Sequence, residues 1–510
     1  MNNPSDIYTG FARAVRRSGE REALYFQGRS WTYAQLDESV RIAAAWIGEA
    51  ALAPGSRVAF LARNSASYVI GWLATQALGL VHVPVNFMLG AREIAYILEH
   101  SGASLLYIDD AFQSVAEEAM RGLNGLVLRH IHELAHSAGV DEAARALSCA
   151  ADAAAPPRQS SPMIAQLAYT SGTEAAPKGA LMSDSALVHE YMSCIEAGDY
   201  AASDVVVHAL PLFHCAQIHC FLTPQLFLGG HNVILDHADP AAIIAAIHRF
   251  GATSFFAPPT VWIGILGHES FRPELLRTLE KGYYGASIMP EEVLRGIRSA
   301  LPWVRLWNYY GQTEIGPLAA VLRPEEHDAR PRSAGRPVLF VESRVVDEAM
   351  RDVPRGCVGE LVHRSPQLLD GYYRDEARTA AAFEGGWFHS GDLAVMDEQG
   401  YLEIVDRKKD MIKTGGENVA SREVEEFLYA HPAIQEVAVI GLPDPKWVER
   451  VCAVVVVQKG MAVSEEDIIT WSAKDLAAFK RPKQIFFVDA LPKNPSGKIL
   501  KKELRQQLAR

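Results

Sequence analysis

β-favouring runs and helix-period runs take turns along the first four hundred residues, and this alternation constrains the fold more than any other feature. Strand candidates are 57-RVAFLA-62, 104-SLLYID-109, 204-DVVVHALPL-212, 232-NVIL-235 and 253-TSFFAPP-259. Between them lie helical patterns such as 66-ASYVIGWLATQALG-79 and 239-DPAAIIAAIHRFG-251, the second opening on Asp-Pro and closing on Gly. Such alternation predicts an α/β architecture with mainly parallel sheets. After about Val405 the pattern changes. The run 406-DRKKDMIKTGGENV-419 is basic and glycine-containing; a short unit follows, with helix 421-SREVEEFLYAH-431, strands 436-EVAVIGL-442 and 451-VCAVVVVQ-458, helix 464-SEEDIITWSAKDLAAF-479 and strand 485-IFFVDAL-491. Ser464 and Asp467 have the spacing of a capping box. The expected organisation is a large multi-subdomain body over 1–405, a hinge within 406–410 and a smaller α+β domain over 411–510. The Ala-rich stretch 142–162 reads as a helix end and a surface linker.

With 510 residues, 49% of them hydrophobic, the chain can bury ample core. A net charge of −12 argues against nucleic acid as the main partner, because phosphate backbones select basic surfaces. The six cysteines are scattered without a CxxC pair, which predicts reduced thiols in a cytoplasmic protein rather than a zinc site or disulfide framework. The first twenty residues lack the apolar run of a signal peptide, and no uncharged stretch reaches the ~20 residues of a membrane helix, so no membrane span is expected.

Chemistry concentrates in a few polar segments. In 169-YTSGTEAAPKGAL-181, which follows the apolar run 163-MIAQLAYT-170, glycine, hydroxyls and Lys178 are the materials of an anion cradle. The loop alone is equally readable as a surface turn, and its Pro-Lys-Gly order is not that of a Walker loop. In 308-NYYGQTEIGP-317, Tyr310 offers a flat face for a base and Glu314 a ligand for a hard cation. The segment 386-GWFHSGDLAVMDEQGYLEIVDR-407 contains Asp392, a carboxylate suited to ribose hydroxyls. Two further loops are 413-KTGGEN-418 and 492-PKNPSGKILKKELR-505, the latter placing Lys498 before a basic helix.

In this order and spacing, these segments resemble the adenylate-forming superfamily of acyl-CoA synthetases, peptide-synthetase adenylation domains and luciferases. The similarity runs from about Trp31 to Leu504 and is strongest to bacterial fatty-acyl-CoA synthetases. The resemblance implies that Thr170, Ser171, Gly172, Thr173 and Lys178 meet the ATP phosphates, and that Gly285, Ala286 and Ser287 of 284-YGASIMP-290 flank the adenine. By the same token Tyr310 stacks on adenine, Thr313 touches phosphate, Glu314 binds Mg²⁺, and Asp392 and Arg407 hold the ribose. Lys498 falls where the family places the lysine that spans acyl carboxylate and α-phosphate. Lys409 falls at the hinge position. Lys413, Gly415, Gly416 and Asn418 belong to the loop brought to the thiol in the second step. The implied substrates are ATP, coenzyme A and a small-molecule carboxylic acid; a homodimer is left open.

Two features of the chain bear on specificity. The family loop reads Thr-Gly where this chain has Glu174-Ala175, so a carboxylate stands beside the triphosphate; Glu174 is expected to point away from it. The segment 211-PLFHCAQIHCF-221 falls where relatives line the acyl pocket, with His214 at a gate position and Ile218, Phe221, Trp262 and Trp307 expected around it. Amino-acid-activating relatives carry an Asp at the position of His214. An apolar pocket of this kind suits an alkyl or aryl acid, a medium- or long-chain fatty acid being the first expectation.

Overall fold

The computed structural model describes residues 6–135, 163–170, 177–287, 289–494 and 497–508. The Ala-rich stretch 142–162 and the centre of the phosphate loop, Ser171, Gly172, Thr173, Glu174 and Ala175, lie outside the described residues.

Two large sheets organise the body. The strand candidates appear as Arg57–Leu61, Leu105–Ile108, Val205–His208, His231–Ile234 and Ser254–Phe256. One seven-stranded sheet is ordered Gly371–Tyr372, Lys178–Ser183, Ile164–Thr170, Val81–Pro84, Arg57–Leu61, Leu105–Ile108 and Val127–His130. The nine-stranded sheet has a parallel centre in which Arg305–Gly311, Lys281–Gly285, Ser254–Phe256, Val205–His208, His231–Ile234 and Glu22–Phe26 follow one another. Antiparallel strands finish its edges. Parallel strands buried on both faces need crossover helices, and the sequence supplies them. Helix Ala66–Ala77 is buried along nearly its whole length. Helix Pro240–Phe250 is bounded by the Asp239 side chain, which accepts from the Ala242 N–H at 2.7 Å, and by left-handed Gly251.

A third, wholly antiparallel sheet contains Glu342–Val346, Val358–Arg364, Phe388–Met396 and Leu402–Arg407. The expectation of mainly parallel sheets therefore holds for the two large sheets and not for this one, whose neighbouring strands all run antiparallel. The C-terminal unit is a five-stranded sheet in which Ile434–Asp444 and Val448–Val457 form a long hairpin. Its helix Glu465–Ser472 carries the expected capping box but stops seven residues short of the pattern's end at 479. Strand Leu402–Arg407 still belongs to the body's antiparallel sheet, and Ile412–Thr414 to the C-terminal one. The change of sheet thus falls between Arg407 and Ile412, a span that overlaps the expected 406–410. Among the described residues no helix is long and apolar enough to cross a membrane.

Candidate active site

The phosphate-loop strand, Ile164–Thr170, pairs with Lys178–Ser183 so that Thr170 lies opposite Lys178. The Lys178 ammonium sits 5.1 Å from the centre of the Tyr372 ring, whose hydroxyl donates to Glu314 Oε1 at 3.1 Å. Lysine and glutamate, 136 positions apart in sequence, are thereby brought to the two sides of one tyrosine. Thr313 and Glu314 form a single 3₁₀ turn after strand Arg305–Gly311, and the Thr313 hydroxyl lies 3.2 Å from Cys215 Sγ. Glu314 Oε2 has no hydrogen bond among the described residues. One carboxylate with a free oxygen, beside a hydroxyl, is a donor set that fits Mg²⁺, which prefers oxygen and takes most of its ligands from water and phosphate.

On the nucleoside side, Asp392 and Arg407 face each other across the antiparallel strands Phe388–Met396 and Leu402–Arg407. Arg407 Nε is 3.2 Å from Asp392 Oδ1, and the Tyr310 hydroxyl donates to Asp392 Oδ2 at 2.6 Å. This contact fixes the phenol ring of Tyr310 against the carboxylate expected to hold ribose, and burial raises the phenol pKa well above its ordinary value. Gly285 ends strand Lys281–Gly285 opposite Tyr309, where a Cβ would stand 2.3 Å from the Tyr309 carbonyl oxygen. Only glycine fits. Ala286 follows with φ +61°, a left-handed conformation unusual for a residue with a side chain, and Ser287 completes the loop expected on the adenine side.

Lys498 reaches this cleft from the other domain. Its loop is closed by Asn494, whose Oδ1 accepts from the Lys498 N–H at 2.8 Å. Gly497 rests against Pro258 and Thr260 of the body, where a Cβ would approach Thr260 Oγ1 to 2.6 Å. The Lys498 side chain is largely enclosed. Burial, then the Arg407 charge, pulls its pKa down to about 8, while Asp392 acts in the opposite sense. His214 is held down to about 4 by burial and by the Lys498 charge, so it is neutral at physiological pH. Helix Ser421–Tyr429 strengthens the docking: Glu426 Oε1 accepts from the Glu291 N–H at 2.7 Å, just beyond the adenine-side loop.

The remaining expectations are placed differently. Lys409 is exposed between Lys408, which pairs with Glu360, and Asp410, which pairs with Arg505 at 2.8 Å. Lys413, Gly415, Gly416 and Asn418 lie exposed on the hairpin of Ile412–Thr414 and Glu417–Val419. This hairpin is tied to strand Val448–Val457 by the Lys413 N–H, which donates to Glu449 Oε2 at 2.7 Å. Among the described residues neither the Lys413 nor the Asn418 side chain joins the Lys498 cluster.

The expected acyl-pocket residues need correction. Trp262 has no accessible surface; it packs in the core beneath helix Pro259–Leu266 and donates from Nε1 to the Tyr283 carbonyl at 3.3 Å. Trp307 stacks on Tyr283 at 5.1 Å in a second core cluster, and Ile218 is fully buried in a third. The family resemblance implied a lining role, but these side chains are packed in the core. Phe221 joins this packing, stacked on Phe256 at 4.4 Å and Tyr309 at 5.4 Å. It stands on a seven-residue π-helix, Ala216–Leu222, a form that is rare and concentrated near functional sites.

One residue escaped sequence reasoning altogether. Glu190, fully buried within helix Asp184–Ala197, accepts from the Leu318 N–H at 3.0 Å and from Gln367 Nε2 at 2.7 Å. Gln367 also donates to the Leu318 carbonyl at 3.0 Å, and Ser193 fixes it by donating to its Oε1 at 2.6 Å. Glu190 thus underpins the chain immediately after the Thr313–Ile315 turn. Burial raises its pKa to about 8. A lone glutamate within a helical pattern carries no signal of such a role.

Comparison with known proteins agrees with this geometry. The model of the AMP-binding enzyme family matches residues 11–373, and that of the AMP-binding enzyme C-terminal domain matches 423–498. A feruloyl-CoA synthase of Amycolatopsis is 34% identical over 97% of this chain and 97% of its own length. A fatty acid–[acyl-carrier-protein] ligase of Streptomyces coeruleorubidus is 35% identical over 95% and 93%. The crystal structure of ATP-bound MatB from Rhodopseudomonas palustris superposes with a TM-score of 0.88 at 27% identity, covering 99% of both chains. The chain belongs to the AMP-binding, adenylate-forming enzyme family.

Proposed function

We propose that the protein is an ATP-dependent, AMP-forming acid–coenzyme A ligase. The observation that carries this reading is the placement of Lys498 in the cleft beside Asp392, Arg407 and His214. A carboxylate is a poor acyl donor because oxide is its leaving group. Attack of a carboxylate oxygen on the α-phosphorus of ATP expels pyrophosphate and leaves an acyl-adenylate, from which AMP departs readily. Negative charge builds on phosphate oxygens in that step, so a preorganised cation is the main device available to the protein. Lys498 supplies it at the acyl and α-phosphate side, and Lys178 at the departing pyrophosphate. Asp392, Arg407 and Tyr310 orient the nucleoside. Glu314 and Thr313 would hold Mg²⁺, which when bound neutralises phosphate charge.

For the second step, in which the thiol sulfur of coenzyme A attacks the acyl carbonyl and AMP leaves, the exposed hairpin bearing Lys413, Gly415, Gly416 and Asn418 must come to the cleft as Lys498 leaves it. Rotation within 406–410 about Lys409 accomplishes both, since a few residues suffice to absorb a hinge motion.

The acid is proposed to be apolar and compact, aryl or short alkyl, in place of the medium- or long-chain fatty acid expected from sequence. Phe221, Phe256, Tyr283 and Tyr309 pack ring against ring between the π-helix and the nine-stranded sheet, and this filled layer supports a compact acid. Of the relatives, one is named for an aryl acid and one for a fatty acid, and the latter for transfer to a carrier protein. A screen of carboxylic acids by AMP release, with coenzyme A or a phosphopantetheinylated carrier as acceptor, tests both choices. Release of ADP would overturn the reaction class. Preference for acyl chains of twelve or more carbons would overturn the compact acid.

A further inference from the structure

Outside the cleft, three side chains converge on one point of the surface. Asp110 opens the 3₁₀ turn Asp110–Phe112 that follows strand Leu105–Ile108. His130 ends the neighbouring parallel strand Val127–His130, and His132 stands two residues further on. The chain passes directly from that strand into the 3₁₀ helix Ile131–Ala135, which carries His132. Both rings turn to the same carboxylate oxygen. His130 Nδ1 is 2.6 Å from Asp110 Oδ1, and His132 Nδ1 is 3.3 Å from it. The three ligand atoms lie within 4.8 Å of one another, with Asp110 and His132 exposed and His130 half-buried.

We propose that Asp110, His130 and His132 form a binding site for a borderline first-row divalent cation such as Zn²⁺, Co²⁺ or Ni²⁺. Two imidazoles and one carboxylate match the ligand preference of these ions and not that of Mg²⁺, which favours oxygen alone. The ion would occupy the position now filled by the ring protons facing Asp110 Oδ1. Binding through Nδ1 requires each ring to take the Nε2–H tautomer, its proton moving from Nδ1 to Nε2. The remaining coordination positions open to solvent. The bound ion would tie the 3₁₀ turn to the end of the edge strand of the seven-stranded sheet. The other convergent set, Glu190 with Cys194 and Cys220, is buried, and its Glu190 oxygens already accept from Leu318 and Gln367.

The test uses the full-length, untagged protein stripped with a chelator and titrated with Zn²⁺ by calorimetry, and with Co²⁺ by visible absorption. One equivalent is expected to bind, unaffected by excess Mg²⁺. Asp110→Asn, His130→Ala and His132→Ala should each weaken binding by at least about tenfold, since even partners outside the ligand set are worth ten- to a hundredfold in metal sites. The melting temperature should rise with Zn²⁺ in the parent protein and not in the His130→Ala/His132→Ala double variant. Circular dichroism of the variants reports that they fold. No binding by the parent, or a titration unchanged in the folded double variant, would overturn the site.

Discussion

Two faces of the small C-terminal domain carry the polar loops singled out from sequence, and they stand in opposite situations. The Lys498 loop is seated against Pro258 and Thr260, and its ammonium is enclosed with Arg407, Asp392 and His214. The hairpin around Gly415 and Gly416 is exposed and makes its contacts within its own domain, with Trp447 and Glu449. One loop is docked against the body and the other is exposed. A rigid domain with two functional faces can serve two reactions in one cleft only by presenting them in turn, and the arrangement seen here fits the first of them.

The sharpest way to break this contrast is Lys498→Ala. Acid-dependent pyrophosphate exchange should fall by ~10²-fold or more, the usual scale for removing one charge-stabilising group, while thioester formation from supplied acyl-adenylate is largely spared. Equal loss in both half-reactions would refute the division of labour. The converse variant is Gly415→Val. Gly415 has φ +60°, and a Cβ there would stand 2.9 Å from Trp447 Cε3. Strain of ~1–3 kcal/mol in that turn should slow thioester formation roughly tenfold with pyrophosphate exchange unchanged; stopped-flow assay of the two half-reactions decides.

Glu190→Ala probes the foundation shared by both steps. It removes the acceptor of the Leu318 N–H and one of the acceptors of the Gln367 amide, a cost of about 1–3 kcal/mol per buried group left unpaired. Stability measured by denaturant titration should fall accordingly, and the apparent Mg²⁺ requirement of pyrophosphate exchange should rise. Glu190→Gln should recover most of the stability. A merely structural Glu190 would leave the Mg²⁺ requirement where it was. The same residue predicts a pH effect. Its folded pKa of about 8 lies above the ordinary carboxylate value, so between those values the native state binds more protons than the unfolded chain. Its contribution to stability is therefore full at low pH and is lost as pH rises through about 8; melting curves of Glu190→Gln should lack that component.

The smallest effect is expected in the pH profile of adenylation. Loss of the Lys498 proton near pH 8 should give kcat/KM for ATP a falling basic limb. Bound triphosphate favours the ammonium, so the limb of kcat should lie higher. Coincident limbs would mean that Lys498 does not face the phosphates.

How far the sequence could be read differs between backbone and side chains. Each strand candidate of the body begins within one residue of its expected start, although those over 204–212 and 253–259 end four and three residues early, and the helix over 239–251 has its Asp239 cap and Gly251 stop. Local chemistry sets these features, so local pattern reveals them. Asp392 and Arg407 were also legible, and the structure adds that they are direct cross-strand neighbours. The residues expected around the acyl pocket, Trp262, Trp307 and Ile218, are buried in the core, because a bulky apolar residue can face a cavity or the core with the same sequence signature. Glu190, Gln367 and Tyr372 were invisible, being single polar residues whose partners lie elsewhere in the chain.

The order of elements, the change of architecture near residue 406 and the identity of the polar loops follow from the chain alone, because period, turn residues and capping act over a few positions. Whether those loops meet was decided only in three dimensions. Lys178 and Glu314 on the two sides of Tyr372, Lys498 against Asp392, and the stacked aromatics beneath the acyl side all depend on which layers pack together. That packing is a property of the assembled sheets, where burial and Coulomb energy act between residues hundreds of positions apart.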